Sequence, residues 1–104
     1  MTNLFTINDG WTANLDAQLL VNGAVFDFSG MTLSSVVKSR SGRVVPVTTQ
    51  WIADTQGTVR LLPLNTDFTA EDSPYTIRFK VIDGAGKVAY FPEGDPYTLT
   101  VKPL

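Results

Sequence analysis

The residues Asp83-Gly84-Ala85-Gly86-Lys87 combine an acid, two glycines and a lysine, as loops that bind phosphate or metal do. A phosphate loop must open a helix, so that backbone N–H groups and the helix dipole meet the anion. Here Gly86-Lys87 leads instead into Val88-Ala89-Tyr90-Phe91, a strand-forming run, and the Walker spacing is absent. A calcium loop needs carboxylates at alternate positions and a distal bidentate acid. Asp83 stands alone. The segment therefore reads as a hairpin tip, in which Asp and Gly supply the φ angles of the turn.

Paired carboxylates are the remaining route to hydrolytic chemistry. Asp9, Asp16, Asp27, Asp54, Asp67, Asp72, Asp83 and Asp95 almost all fall in turns or at solvent-facing positions, where Asp usually serves the backbone. The chain contains no histidine, which removes the side chain best suited to proton transfer near neutral pH and every Ser-His or Cys-His arrangement. It contains no cysteine, which removes disulfides and thiolate metal sites. The residues point to a non-enzymatic protein with no catalytic group, cofactor or metal.

Aromatic rings offer a second kind of chemistry, stacking on sugars or anchoring a protein interface. Trp11 shares an alternating face with Leu15 and Leu19 and belongs to the core. Trp51 follows a run interrupted by Pro46 and is expected to be partly exposed. Tyr90 and Phe91 are adjacent, so on a strand they point to opposite faces and one looks outward. Trp51, Tyr90, Phe91, Pro46 and Tyr97 are the interface candidates.

Electrostatics adds little at this level. The formal net charge is −2, and the basic residues are scattered along the chain. With no basic stripe, attraction to nucleic acid has little to work with. The cluster Lys38, Arg40, Arg43 straddles a turn and reads as a solvated loop. Met1-Thr2-Asn3-Leu4-Phe5 lacks the basic and apolar blocks of a signal peptide, and no apolar run reaches bilayer-spanning length. The expectation is a soluble protein made in the cytoplasm, with neither nucleic acid nor membrane as partner.

The elements that must position these residues have a period of two. Trp11, Ala13, Leu15, Ala17 and Leu19 alternate with polar residues as far as Asn22-Gly23, a dipeptide suited to a tight hairpin. Val25 to Phe28 and Met31 to Ser39 read as strands, followed by a turn at Arg40-Ser41-Gly42-Arg43. Val44 to Ile52 is β-branched but holds Pro46, which places it at a sheet edge or a bulge. Thr58 to Leu64 resumes after a turn at Asp54-Thr55-Gln56-Gly57, and Thr69 to Asp72 is expected to form one helical turn. Tyr75 to Val81 is the clearest amphipathic strand; Val88 to Pro92 and Tyr97 to Lys102 follow it. These signals predict a single domain over 1–104: all-β, an immunoglobulin-like antiparallel β-sandwich of about seven or eight short strands. A small barrel is the rival.

The order of the segments resembles that of small phage virion modules, in particular the N-terminal domain of siphophage baseplate upper proteins and related tail and capsid attachment proteins. Asp27-Phe28-Ser29-Gly30 fills a phrase that precedes a strand, Gly57-Thr58-Val59-Arg60-Leu61 a "G-x-V-x-L" strand, and Tyr75 to Gly86 a strand ending in an acidic-glycine hairpin. Baseplate upper proteins continue into a helical stalk and a region that docks receptor-binding proteins. This sequence ends at Val101-Lys102-Pro103-Leu104, so capsid decoration and a small tail adaptor are expected roles as well. The resemblance implies a virion component whose partners are larger capsid or tail proteins, with self-association in a closed ring or trimer also open. Docking would use edge strands and loop tips, above all the Pro46 segment, Thr2 to Ile7 and Tyr97 to Leu104. The competing expectation is a module for host-surface glycans centred on Trp51, Tyr90 and Phe91.

Overall fold

The computed structural model describes residues 4–104. Ten strand segments occur among them: β1 (Leu4–Asn8), β2 (Leu15–Gln18), β3 (Leu20–Val21), β4 (Ala24–Val25), β5 (Thr32–Lys38), β6 (Thr48–Ala53), β7 (Thr58–Leu62), β8 (Tyr75–Ile82), β9 (Val88–Phe91) and β10 (Tyr97–Lys102). One sheet runs β1-β10-β8-β5, with β9 also paired to β8; the second runs β2-β7-β6, and β3-β4 is a small separate hairpin. The fold is an all-β sandwich. Its second, third and fourth major strands and their partners follow the B-E-D and C-F-G order of immunoglobulin domains, while the first strand joins the last one in parallel.

β8 organises the larger sheet. Tyr75, Ile77, Phe79 and Val81 are buried and alternate with outward-facing Thr76, Arg78 and Lys80, as period-two patterning requires. β5 lies along one edge of β8, with Val37 opposite Ile77 and Ser35 opposite Phe79. The other edge is shared. β9 pairs with residues from Phe79 to Ile82, and β10 takes over from Ile77 to Tyr75. Phe91 faces Phe79 and Tyr97 faces Ile77, so five residues, 92–96, loop out where two strand positions advance on β8.

Between the sheets lie Leu19, Phe28, Val37, Val59, Phe68, Tyr75, Phe79 and Leu99, all essentially without solvent contact. Aromatic edges set much of the geometry. Phe68 meets Tyr75 edge-on with ring centroids 5.0 Å apart, and the Tyr75 hydroxyl accepts the Thr69 N–H at 3.0 Å.

Several elements differ from the sequence expectation. The strand expected from Trp11 starts at Leu15, and past Gln18 the Leu19 N–H still donates to Gly57 O at 2.8 Å, continuing the register with β7 by one residue. The segment from Val25 to Phe28 leaves the strand after Val25, because the Asp27 carboxylate captures the Ser29 backbone N–H at 2.9 Å and bends the chain. Residues Val44 to Val47 join β5 by a single bridge, Val44 to Lys38, before β6 begins on the other sheet. Pro46 therefore precedes the edge strand, and a register shift between Trp51 and Ala53 supplies a bulge. Among the described residues the one turn of 3-10 helix is at Asp54–Gln56, whereas the expected helical turn at Thr69–Asp72 is replaced by a turn from Ala70 to Ser73, closed by Ser73 N–H to Ala70 O. Thr2 and Asn3, expected to open the first strand, lie outside the described residues.

Candidate interaction site

The glycine loop is a hairpin tip in its details. The Asp83 carboxylate accepts the backbone N–H groups of Ala85 and Lys87, each at 2.9 Å, and the Gly86 N–H donates to Asp83 O. An Asp whose oxygen is occupied by its own turn holds the bend in place. Other acids are similarly engaged. Asp67 accepts the Leu64 N–H, Glu93 accepts the Asn22 N–H, Asp16 pairs with Arg60 and Asp72 with Arg43. No group of three acids suited to a metal occurs among the described residues. The Asp16 carboxyl is held below its ordinary range by hydrogen bonds from Arg60, and Asp27 by the Ser29 hydroxyl and N–H.

The five interface candidates do not form one surface. Trp51 stacks on Phe28 at 5.3 Å and donates its indole N–H to Met31 O at 3.2 Å, so its ring closes one side of the core. Phe91, 4% exposed, meets Phe28 edge-on at 5.5 Å. Tyr97, 8% exposed, packs between Phe5 and Phe79, and burial pushes its phenol pKa up. Tyr90 is the outward member of its pair, 49% exposed and opposite Lys80 on the outer face of the large sheet. Pro46 is exposed between buried Val45 and Val47. Phe28 joins Trp51 to Phe91 from inside, and a flat exposed row of rings, as a sugar platform requires, is not among these contacts.

What sequence reasoning missed is an apolar groove of about 260 Å³ at one end of the sandwich. Val21, Phe26, Phe28, Met31, Val81 and Phe91 line it, with Asp83, Lys87 and Glu93 among its polar members. The groove exists because the three strands of the smaller sheet leave the inner side of the β8–β9 hairpin to the short β3–β4 hairpin and to Phe26 and Phe28. Phe26 is 42% exposed, although its ring meets the buried Phe28 edge-on at 5.0 Å. Leu20 and Val25, paired on the β3–β4 hairpin, and Val88 on β9 are also exposed. Phe26 is thus an apolar ring only partly covered by the core. The sequence signal was the run Val25-Phe26-Asp27-Phe28, where alternation alone assigns both rings to one buried face.

The chain matches no protein-family profile, and no curated protein matches it in sequence.

Proposed function

We propose that the protein is a non-enzymatic structural component of a phage virion, docking onto or decorating a tail, baseplate or capsid and carried in the particle. The observation that supports this most is the apolar groove lined by Val21, Phe28 and the partly exposed Phe26. Such a surface gains by burial against a larger protein. The two sheets also end in β1 and β5, and in β2 and β6, which leaves edges to which another chain could add a strand. The acids most open to a catalytic reading are engaged by turns and ion pairs, which supports a structural role. A glycan-binding module has weaker support, because the rings of Trp51, Phe91 and Tyr97 are turned into the core.

Quantitative mass spectrometry of purified virions from the encoding phage tests the proposal. The protein is expected in stoichiometric amounts: large numbers for a shell site, a ring multiple for a tail site. Phe26→Asp should fold normally, because the ring is partly exposed, yet its incorporation into particles should fall at least roughly tenfold, the scale of a lost interface anchor. Absence of the wild-type protein from particles would sink the reading.

A further inference from the structure

The outer face of the large sheet collects charge that is dispersed in the sequence. Its outward positions include Lys38 on β5, Arg78 and Lys80 on β8, and Lys102 on β10, which are half of the chain's eight basic residues. The strands of this sheet contain no Asp or Glu; Glu93 and Asp95 lie on the adjoining 92–96 loop, where Glu93 accepts the Asn22 N–H, and the other eight acids lie elsewhere. The pairing register explains the gathering. Lys38 lies opposite Thr76, Val36 opposite Arg78 and Ser34 opposite Lys80, so Lys38 and Arg78 are diagonal neighbours. Diagonal side chains on a sheet are about 7–8 Å apart, within joint reach of one anion. The two ion pairs among the described residues, Arg43–Asp72 and Arg60–Asp16, use none of these four cations.

The face is also concave where the charge is highest. A hollow of about 180 Å³ is lined by Val36, Lys38, Thr76, Arg78 and Pro96. It forms at the break between β9 and β10, where residues 92–96 loop out and Arg78 has no strand partner on that side. Arg78 is held there by one hydrogen bond, from its guanidinium to Pro92 O at 3.0 Å, a bond that orients the fork without neutralising it. The hollow holds the equivalent of roughly six waters of liquid volume. That suits one carboxylate side chain, with its methylenes against Val36 and Pro96 and its oxygens toward Lys38, Arg78 and the Thr76 hydroxyl. A long polyanion is disfavoured by the ten carboxylates of a chain of net charge −2.

We propose that the outer face of the β1-β10-β8-β5 sheet is a docking site for an acidic polypeptide segment, with one Asp or Glu side chain seated between Lys38 and Arg78. The site lies on the opposite side of the sheet from the apolar groove and stands independently of the virion reading. Neighbouring Lys80, Ser34 and Tyr90 extend the polar surface along the segment's path.

Amide chemical shifts of the intact protein, titrated with a short oligoglutamate peptide in about 50 mM salt, test this. Shifts are expected at Lys38, Thr76, Arg78, Lys80 and the 92–96 loop. Binding should weaken several-fold at about 0.5 M salt, where screening is short-ranged. Arg78→Gln and Lys38→Gln should each weaken it roughly tenfold, as loss of a charge-assisted contact does, and Lys87→Gln, on the hairpin tip, should not. Lys38 makes no side-chain hydrogen bond among the described residues, so Lys38→Gln reports on binding even where loss of the Arg78–Pro92 bond disturbs the loop. Absence of shifts on this face, or binding unaffected by Lys38→Gln, overturns the proposal. Tighter binding of a sulfated oligosaccharide or an oligonucleotide of equal charge overturns the peptide assignment.

Discussion

Gly57 shows how one residue can be fixed by its surroundings. Its φ is +70°, and a Cβ there would sit 2.6 Å from Leu19 O and 2.9 Å from the Phe28 ring. Both the backbone conformation and the space demand glycine. Gly57→Ala should destabilise the fold by about 2–4 kcal/mol in urea unfolding, combining left-handed strain with a clash against backbone. Gly84→Ala on the hairpin tip, where a Cβ meets nothing within 4 Å, should change stability by less than about 0.5 kcal/mol. Phe28, which touches Phe26, Trp51 and Phe91, is the corresponding hub among side chains, and Phe28→Ala should cost about 3–5 kcal/mol. Tyr97 carries a pH signature. Its folded-state pKa is raised by burial, so the neutral phenol's contribution is complete below the unfolded-state pKa and is lost as pH rises toward the folded value. Tyr97→Phe should therefore flatten the alkaline limb of the stability profile. A wild-type limb as flat as the variant's would contradict this assignment.

A two-residue period made β8 legible in the sequence but overran β2, since Trp11 and Ala13 keep the alternation outside any strand. Pairings between distant strands were not legible. β8 is read directly from Tyr75, Ile77, Phe79 and Val81, because one face is buried along its whole length. Asn22-Gly23 announces its hairpin through the positive φ angles of both residues, 50° and 80°. The parallel pairing of β1 with β10 carries no local signal, since the partners lie at opposite ends of the chain. The cationic face was hidden for the same reason: its charges come from β5, β8 and β10 and meet only through register. Between β2 and β7, Asp16 receives Arg60 Nε at 2.8 Å, a cross-strand pair at the sheet surface. The depressed Asp16 pKa makes its small stabilisation present above the unfolded-state value and lost as pH falls through the folded one. Asp16→Asn should reduce the acid sensitivity of unfolding, and Arg60→Gln should reproduce that change.

At the scale of the whole molecule, the last strand holds the large sheet together. β10 lies between β1 and β8, and its Leu99 and Val101 are buried in the core. Truncation after Glu93 should leave a chain without cooperative thermal unfolding, whereas removal of exposed Pro103 and Leu104 should leave the midpoint within a few degrees. The sandwich is elongated, 42 × 26 × 21 Å, and β1 and β10 run side by side in the same direction. Leu4 is level with Thr98 and Asn8 with Lys102, so the chain enters this pair at one end and leaves it at the other. A tension applied between the chain's two ends would slide these strands along each other, loading every hydrogen bond of the ladder together. Antiparallel neighbours at a hairpin would instead peel open one bond at a time. The parallel register therefore sets β1 and β10 in a shear geometry with respect to such a pull.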